Sequence, residues 1–252
     1  MRGLERNGLL SDVGHLLTGY IGSASFLEAV MDVLQMVRRH SKGKLRYVCD
    51  PVLGDVGSGF YVPQELVKLF REQVIPQADI ITPNQFEAEQ LTEMTIASVE
   101  NVKTVCNALH EMGPPIVFIT SVMLESEEKN IISVFASRRT SAAATATTTA
   151  TTQQHMWRIT CPQLPGQYTG TGDLFSSLLL GHSALEPDDL PAALDKVMNT
   201  MYAIIQRTLE LTPDSALHSK YPIELRLIQC KDIIENPPLE CKTEVIQYNN
   251  AR

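Results

Sequence analysis

The sequence predicts an α/β fold in which helices flank a mainly parallel central sheet. Short β-branched runs alternate with segments whose apolar residues recur at helical spacing, a pattern typical of βα units. Polar residues directly follow three of the predicted strands, which is where ligands bind in open α/β sheets. A glycine-containing segment, residues 170–173, comes just before an apolar helical run. These three observations predict a ligand-binding α/β protein.

The elements of the first half follow in order from local sequence. A short strand is predicted at residues 13–18, and Ser25 with Glu28 forms a capping box for the helix that follows. A buried strand at residues 45–49 ends where proline interrupts the ladder. Further elements are a helix at 63–73, a strand at 79–82, a helix through Phe86 and Leu91, a helix capped by Ser98, and a strand at 116–120.

In the second half, an antiparallel strand pair is predicted at residues 131–135 and 157–160. Helices are predicted at 173–180, 189–209 and 223–234. Residues 140–154 are almost entirely Ala and Thr, and because none is large enough to anchor a core, they predict a surface loop that joins two strands. The whole chain, residues 1–252, is expected to be one domain.

Composition narrows the class of protein. With 44% hydrophobic and 20% charged residues among 252, the chain can bury a substantial core. The formal charge of -8 disfavours nucleic acid as a partner, and no apolar run approaches the length of a membrane span. Five cysteines without close spacing disfavour a zinc site or a disulfide framework. We therefore expect a cytoplasmic protein.

A polar rim is predicted at the carboxyl ends of three consecutive strands. Its members are Asp50, Asp55, Asn84, Glu87, Thr120 and Ser121. Individually they have simpler interpretations, since Asp55 suits a turn, Asn84 a helix N-cap and Glu87 the first turn of a helix. Together, Asp50, Asp55 and Glu87 are candidates to hold a hydrated magnesium ion.

Residues Gly170, Thr171, Gly172 and Asp173 predict an anion site at the start of a helix. Glycines let the backbone approach an anion, and the first N–H groups of a helix point towards it. Asp173 can accept a proton from an attacking hydroxyl, although it could instead cap the helix. The spacing matches neither the Walker P-loop nor the Rossmann fingerprint.

Three segments, residues 47–55, 82–89 and 170–175, closely resemble motifs of the pyridoxal kinase branch of the ribokinase-like superfamily. The likeness runs from about Leu17 almost to the C-terminus, and Thr171, where many sugar kinases have alanine, favours this branch. The resemblance implies a ribokinase-like fold and ATP-dependent phosphorylation of the 5′-hydroxymethyl group of pyridoxal, pyridoxine or pyridoxamine.

The resemblance also implies roles for individual residues. Asp173 would be the catalytic base, and Gly170 with Gly172 would form the anion hole. The residues implied around the nucleotide are Asp50, Asn84, Glu87, Thr120, Ser121 and Thr171 at the phosphates, and Leu164 to Gly166 at the adenine. Asp55 and Glu87 would help to hold Mg²⁺, while Thr82 and Thr120 could serve a monovalent cation, K⁺ or Na⁺. Tyr20, Tyr61 and Thr169 would face the vitamin.

One departure from the resemblance leaves alternatives open. The first strands of the family fold, with Ser and Thr contacts to the pyridine ring and much of the surface of the expected homodimer, have no counterpart here. One alternative is therefore a catalytically impaired, truncated product that binds nucleotide or a full-length partner. Another is a related kinase for hydroxymethylpyrimidine or a sugar.

Overall fold

The computed structural model describes residues 2–124, 130–141, 152–213 and 221–247. The chain divides into two compact units. The first comprises Met1–Thr120 and Ser137–Gln154, and the second comprises Ser121–Ala136 and His155–Arg252. The expectation of a single domain stays a prediction.

The strands occur in the order that the sequence predicts, with short additions. They are β1 (His15–Thr18), β2 (Arg46–Cys49), β3 (Gly54–Asp55), β4 (Gly59–Phe60), β5 (Ile80–Ile81), β6 (Ile116–Val122), β7 (Ile131–Ser141), β8 (Thr152–Pro162), β9 (Tyr168–Thr169), β10 (Ile223–Glu224) and β11 (Glu244–Ile246). The strands β6, β7 and β8 contribute residues to both units.

The described helices alternate with these strands. They are α1 (Arg2–Arg6), α2 (Ala24–His40), α3 (Glu65–Leu69), α4 (Gln85–Thr92), α5 (Val99–Glu111), α6 (Thr171–Leu185), α7 (Leu190–Glu210) and α8 (Lys231–Glu235). Short 3₁₀ turns occupy Leu9–Asp12, Ile75–Gln77 and Leu227–Cys230, and a π-helical turn occupies Phe70–Val74. No helix in the described part of the chain has the length and apolar character needed to cross a bilayer.

The sheet of the first unit is parallel from β1 to β6, which confirms the predicted fold class. The order is β1-β2-β5-β6, and each neighbouring pair is parallel. Residues of β2 and β5 such as Val48, Ile80 and Ile81 are fully buried, as expected for strands covered on both faces. Helix α2 buries Leu27 and Leu34 at helical spacing.

The second unit is built on a pair of packed helices and an antiparallel strand pair. Helices α6 and α7 pack against each other and bury Leu179 and Val197, among other residues. Strand β11 pairs antiparallel with β8, and β10 pairs parallel with β9. These pairings fix both ends of the segment that carries α6 and α7.

Three sequence predictions about element boundaries are wrong. Helix α2 is capped by Ser23 rather than Ser25, because the extended backbone of Ser23 lets its Oγ accept the Phe26 N–H at 3.3 Å. The predicted helix at 63–73 is a short α-helix followed by π and 3₁₀ turns. Residues 223–234 are not one helix, because Ile223 and Glu224 pair with β9 and helical structure begins only at Leu227.

The described ends of the Ala/Thr tract, residues 140–154, are strand where the sequence predicted a loop. Strand β7 continues to Ser141 and β8 begins at Thr152, so both ends of the tract are strand. Threonine favours strands, which accounts for the extension. The rest of the predicted loop, residues 142–151, lies outside the described residues.

Helix α5 provides a test of the predicted caps, because Ser98 caps it as expected. The Ser98 Oγ accepts the Asn101 N–H at 3.2 Å. Replacing Ser98 by alanine removes this acceptor, and we expect the free energy of unfolding in urea to fall by about 1 kcal/mol. Ser98→Thr keeps the hydroxyl and should lose much less. Equal losses in the two variants would contradict the capping role.

Candidate active site

Buried polar side chains lie at the carboxyl ends of β2 and β5 in the first unit. Asp50 follows β2 and Thr82 follows β5, and both are almost completely buried. The Thr82 hydroxyl donates a hydrogen bond to Asp50 Oδ1 at 3.1 Å. Parallel strands place these two ends side by side, so the first part of the predicted rim is assembled.

Asn84 and Glu87 form a reciprocal capping box at the start of α4. Asn84 Oδ1 accepts the Glu87 N–H and Glu87 Oε2 accepts the Asn84 N–H, each at 2.9 Å. The interpretation of Asn84 as a helix cap is therefore confirmed. Asn84 also reaches out of the helix, because its Nδ2 donates to the Gly54 carbonyl at 2.8 Å. The cap of α4 thus holds the loop that follows β2.

Glu87 binds this same loop through its other oxygen. Glu87 Oε1 accepts the N–H of Leu53 at 2.9 Å and that of Gly54 at 3.5 Å. Burial raises the pKa of the Glu87 carboxyl to about 8, and the nearby charge of Asp50 adds to this rise, while the backbone hydrogen bonds oppose it. Two buried carboxyl groups close enough to repel each other form a site that a proton or a cation would stabilise.

Gly54 permits the hairpin of β3 and β4 to lie against this cap. A Cβ at Gly54 would lie 2.2 Å from the Gly59 carbonyl oxygen and 2.7 Å from the Phe86 ring. Phe60 packs edge-on against Phe86 with ring centroids 5.1 Å apart. The sequence motif gave no sign that the backbone N–H groups at 53 and 54 are the partners of Glu87, because this pairing depends on how the loop folds back.

Asp55 is not buried as Asp50 and Glu87 are. It is exposed on β3, and its Oδ1 accepts the Val56 N–H at 2.7 Å. Within the described ranges, no three His, Cys, Asp or Glu side chains are grouped so as to hold a metal ion. In this part of the chain Asp50, Asp55 and Glu87 therefore do not form one group of three metal ligands; Asp50 and Glu87 are buried, whereas Asp55 is exposed.

The remaining predicted residues of the first unit surround this region. Thr120 donates its N–H to the Pro83 carbonyl at 2.9 Å and bridges to Asn84. Tyr61 is bound through its N–H to the Leu53 carbonyl at 2.8 Å, and its side chain is half exposed. The side chain of Tyr20 is likewise exposed.

In the second unit, the start of α6 has the geometry of an anion site. Gly170 adopts a left-handed conformation (φ 82°) at the N-cap, and no side chain caps the helix. Asp173 is exposed in the first turn, so the alternative that Asp173 is the N-cap is wrong. The first N–H groups of a helix have no partner within it, and here they are open to a ligand.

Other predicted residues of the second unit lead into this loop or lie in β6. Thr169 ends β9, whose pairing with β10 holds the segment before Gly170. Gly166 needs its positive φ of 107°, and Leu164 is half-buried. Ser121 is a non-glycine residue at φ 55° within β6, and such backbone strain is common at functional sites.

A helix start open to an anion, with an exposed carboxylate in its first turn, occurs here in a chain with a mainly parallel sheet. These features are the ones expected of the ribokinase-like α/β kinases that the sequence motifs resemble. The sequence model of the phosphomethylpyrimidine kinase family matches residues 9–218. With most of its length matched, the chain belongs to this family, and more narrowly to the pyridoxal kinases.

Known proteins support this placement. The pyridoxal kinase of Arabidopsis thaliana is 40% identical over 245 residues, 97% of this chain and 74% of that protein. That of Homo sapiens is 36% identical over 252 residues, 97% of this chain and 78% of that protein. A structure of Leishmania donovani pyridoxal kinase with ADP and pyridoxamine superposes with a TM-score of 0.83 at 27% identity, covering 98% of this chain and 79% of that one.

The contact of Gly54 with Gly59 generates a prediction. Gly54→Ala places a methyl group against a backbone carbonyl that cannot rotate away, so the hairpin must shift. We expect a loss of about 1–3 kcal/mol in the free energy of unfolding. Gly43→Ala is a matched control because nothing lies within 4 Å of its Cβ position. Comparable stability of the two variants would show that the hairpin does not need this close approach.

The raised pKa of Glu87 generates a second prediction. Between pH 4.5 and about 8 the native state holds a proton that the unfolded chain has lost, so this group's contribution to stability falls as pH rises. The slope is at most about 1.4 kcal/mol per pH unit. We expect urea unfolding across this window to show a shallower decline in Glu87→Gln than in wild type. The exposed control Glu65→Gln should keep the wild-type slope, and a common slope in all three proteins would refute the assignment.

Proposed function

We propose that this chain transfers the γ-phosphoryl group of ATP to the 5′-hydroxyl of pyridoxal, pyridoxine or pyridoxamine and so acts in vitamin B6 salvage. The observation that carries the proposal is the uncapped start of α6, where Gly170 turns the backbone and Asp173 stands exposed in the first turn. Membership of the pyridoxal kinases supplies the substrate class.

Asp173 acts as the general base. Its carboxylate accepts the proton of the 5′-hydroxyl as that oxygen attacks the γ-phosphorus, and ADP leaves with the electrons of the broken P–O bond. The N–H groups at Gly170 and Gly172 stabilise the negative charge that develops on the transferring group. They are effective because the helix start already holds them in place.

The polar residues of the first unit and those around the loop serve the nucleotide. Near the phosphates we assign Asp50, Asn84, Glu87, Thr120, Ser121 and Thr171, and near the adenine Leu164 and Gly166. Tyr20, Tyr61 and Thr169 face the vitamin in this proposal. The exposure of both tyrosines supports it, since a ligand can reach their rings.

Magnesium, when bound, neutralises charge on the nucleotide phosphates. Asp55 and Glu87 would help to hold it, and Thr82 and Thr120 would serve K⁺ or Na⁺. The residues fit a cation, because Asp50 and Glu87 are both buried carboxyl groups and Asp50 lies close enough to influence the ionisation of Glu87. The Glu87 oxygens already accept backbone N–H groups, so its contact with Mg²⁺ would pass through water.

Phosphorylation of a hydroxymethylpyrimidine is a second candidate, favoured by the name of the matching family. The vitamin B6 compounds are preferred because the curated relatives are pyridoxal kinases over nearly the whole chain. We also propose a homodimer, as the resemblance implies, and a cytoplasmic location. The five free cysteines agree with a reducing compartment.

The decisive variant is Asp173→Asn. It keeps the size of the side chain but cannot accept the proton, so we expect kcat for pyridoxal to fall by roughly 10²–10⁴-fold. The affinity for ATP, measured by calorimetry, should stay within about twofold because the helix N–H groups are untouched. Asp32→Asn, on the exposed face of α2, is the control and should keep full activity.

Product formation is measured with Mg-ATP and each of pyridoxal, pyridoxine, pyridoxamine, a hydroxymethylpyrimidine and ribose. The proposal expects the vitamin B6 compounds to give the highest kcat/KM. Equal rates for the wild type and Asp173→Asn would remove Asp173 from the mechanism. A higher kcat/KM for the pyrimidine would favour the second candidate, phosphorylation of a hydroxymethylpyrimidine. ATP binding without turnover on any substrate would reject the proposed kinase activity.

A further inference from the structure

Two cysteines that are far apart in sequence face each other in the second unit. Strand β11 pairs with β8 so that Glu244 is opposite Arg158 and Ile246 is opposite Met156. Strand β11 begins only at Glu244, but its register, extrapolated three residues along the chain, brings Cys241 opposite Cys161. The two thiols are close enough for Cys241 to influence the pKa of Cys161, and neither cysteine forms a disulfide.

Helix α7 holds Cys241 in this position. The Asn199 side chain accepts the Cys241 N–H at 2.9 Å and donates to the Cys241 carbonyl at 2.8 Å. Two residues further on, Asp195 accepts the Thr243 N–H at 2.7 Å. Because the polar backbone groups of Cys241 point to α7, they do not face β8.

The extrapolated register and the bonding of the Cys241 backbone to Asn199 together correspond to a non-hydrogen-bonded cross-strand pair. In such pairs the Cα atoms are about 4.5 Å apart and the side chains are at their closest. Disulfides join Cα atoms about 4.4–6.8 Å apart. The bond therefore needs little backbone movement.

We propose that Cys161 and Cys241 are a redox pair that a small-molecule disulfide such as oxidised glutathione converts to an intramolecular disulfide. The Cys241 thiolate attacks glutathione disulfide, which gives a mixed disulfide and releases one reduced glutathione. Cys161 then loses its proton and attacks Cys241 Sγ, which releases the second reduced glutathione. Two protein thiols are oxidised and one glutathione disulfide is reduced, so the reaction balances.

Exposure sets the order of these steps. Cys241 is partly exposed and can meet the oxidant, whereas Cys161 is only 4% exposed. Burial, with a further contribution from Cys241, raises the pKa of the Cys161 thiol to about 12. Cys161 is therefore slow to close the bond, and as a leaving group it is also slow to be displaced from it.

The disulfide would connect β8 to the segment before β11 and enclose residues 161–241. That stretch contains the loop at Gly170 and both long helices, α6 and α7. Constraining a loop of this length in the unfolded chain stabilises the folded state. The pair therefore acts as a reversible cross-link that raises the stability of the folded second unit.

The test treats the reduced full chain, under native conditions, with oxidised glutathione. Trypsin digestion without reductant should give one cross-linked species of peptides 159–196 and 232–242, and reductant should abolish it. The oxidised protein should melt roughly 10 °C above the reduced protein. Cys241→Ser should form no cross-link and show no shift.

Cys230→Ser is the matched control, since Cys230 is buried nearby in sequence and lies on a separate tryptic peptide, 227–231. It should behave as wild type. A glutathione adduct that persists at Cys241, or cross-links that involve Cys230 to the same extent, would overturn the proposed pair. A cross-link that leaves the melting temperature unchanged would reject the claim that the disulfide stabilises the second unit.

Discussion

The buried carboxyl group of Glu87 makes the contacts on which the first unit's site depends. One oxygen completes the capping box of α4, and the other accepts N–H groups from Leu53 and Gly54. A single side chain therefore fixes both the start of a helix and the loop after β2. The three hydrogen bonds to the buried Glu87 side chain are costly to break, because each N–H donor would be left without a partner. The same burial, together with the charge of Asp50, raises the pKa of the Glu87 carboxyl group.

The fold class could be predicted because burial dictates composition in a parallel sheet. Runs such as residues 47–49 and 116–119 are mostly apolar and buried because both faces of the sheet are covered. Element boundaries were harder, since Ser23 and Ser25 are both good caps and only the backbone conformation selects between them. The helix predicted at residues 223–234 was wrong for a related reason. Ile223 is compatible with either a helix or a strand, and only its pairing with β9 selects the strand.

The candidate site was also predicted only in part, because the positions of some of its side chains depend on how the backbone folds. Asp50, Thr82, Asn84 and Glu87 come together because strand ends in a parallel sheet meet at one edge. Asp55, one residue beyond Gly54, turns outward because side chains alternate along a strand. The contact of Cys161 with Cys241 could not be seen from spacing at all, since it depends on the register of β8 and β11.

The helix starts in this chain differ in a way that has a thermodynamic consequence. Asn84 and Ser98 satisfy the first N–H groups of α4 and α5, whereas no side chain caps α6. Glycine in place of a capping side chain costs only a few tenths of a kcal/mol, but a bound anion can accept the hydrogen bonds that the side chain would have accepted. Ligand occupancy and folding are therefore linked: a cell rich in nucleotide would shift the population of this chain towards the folded state and shield it from proteolysis.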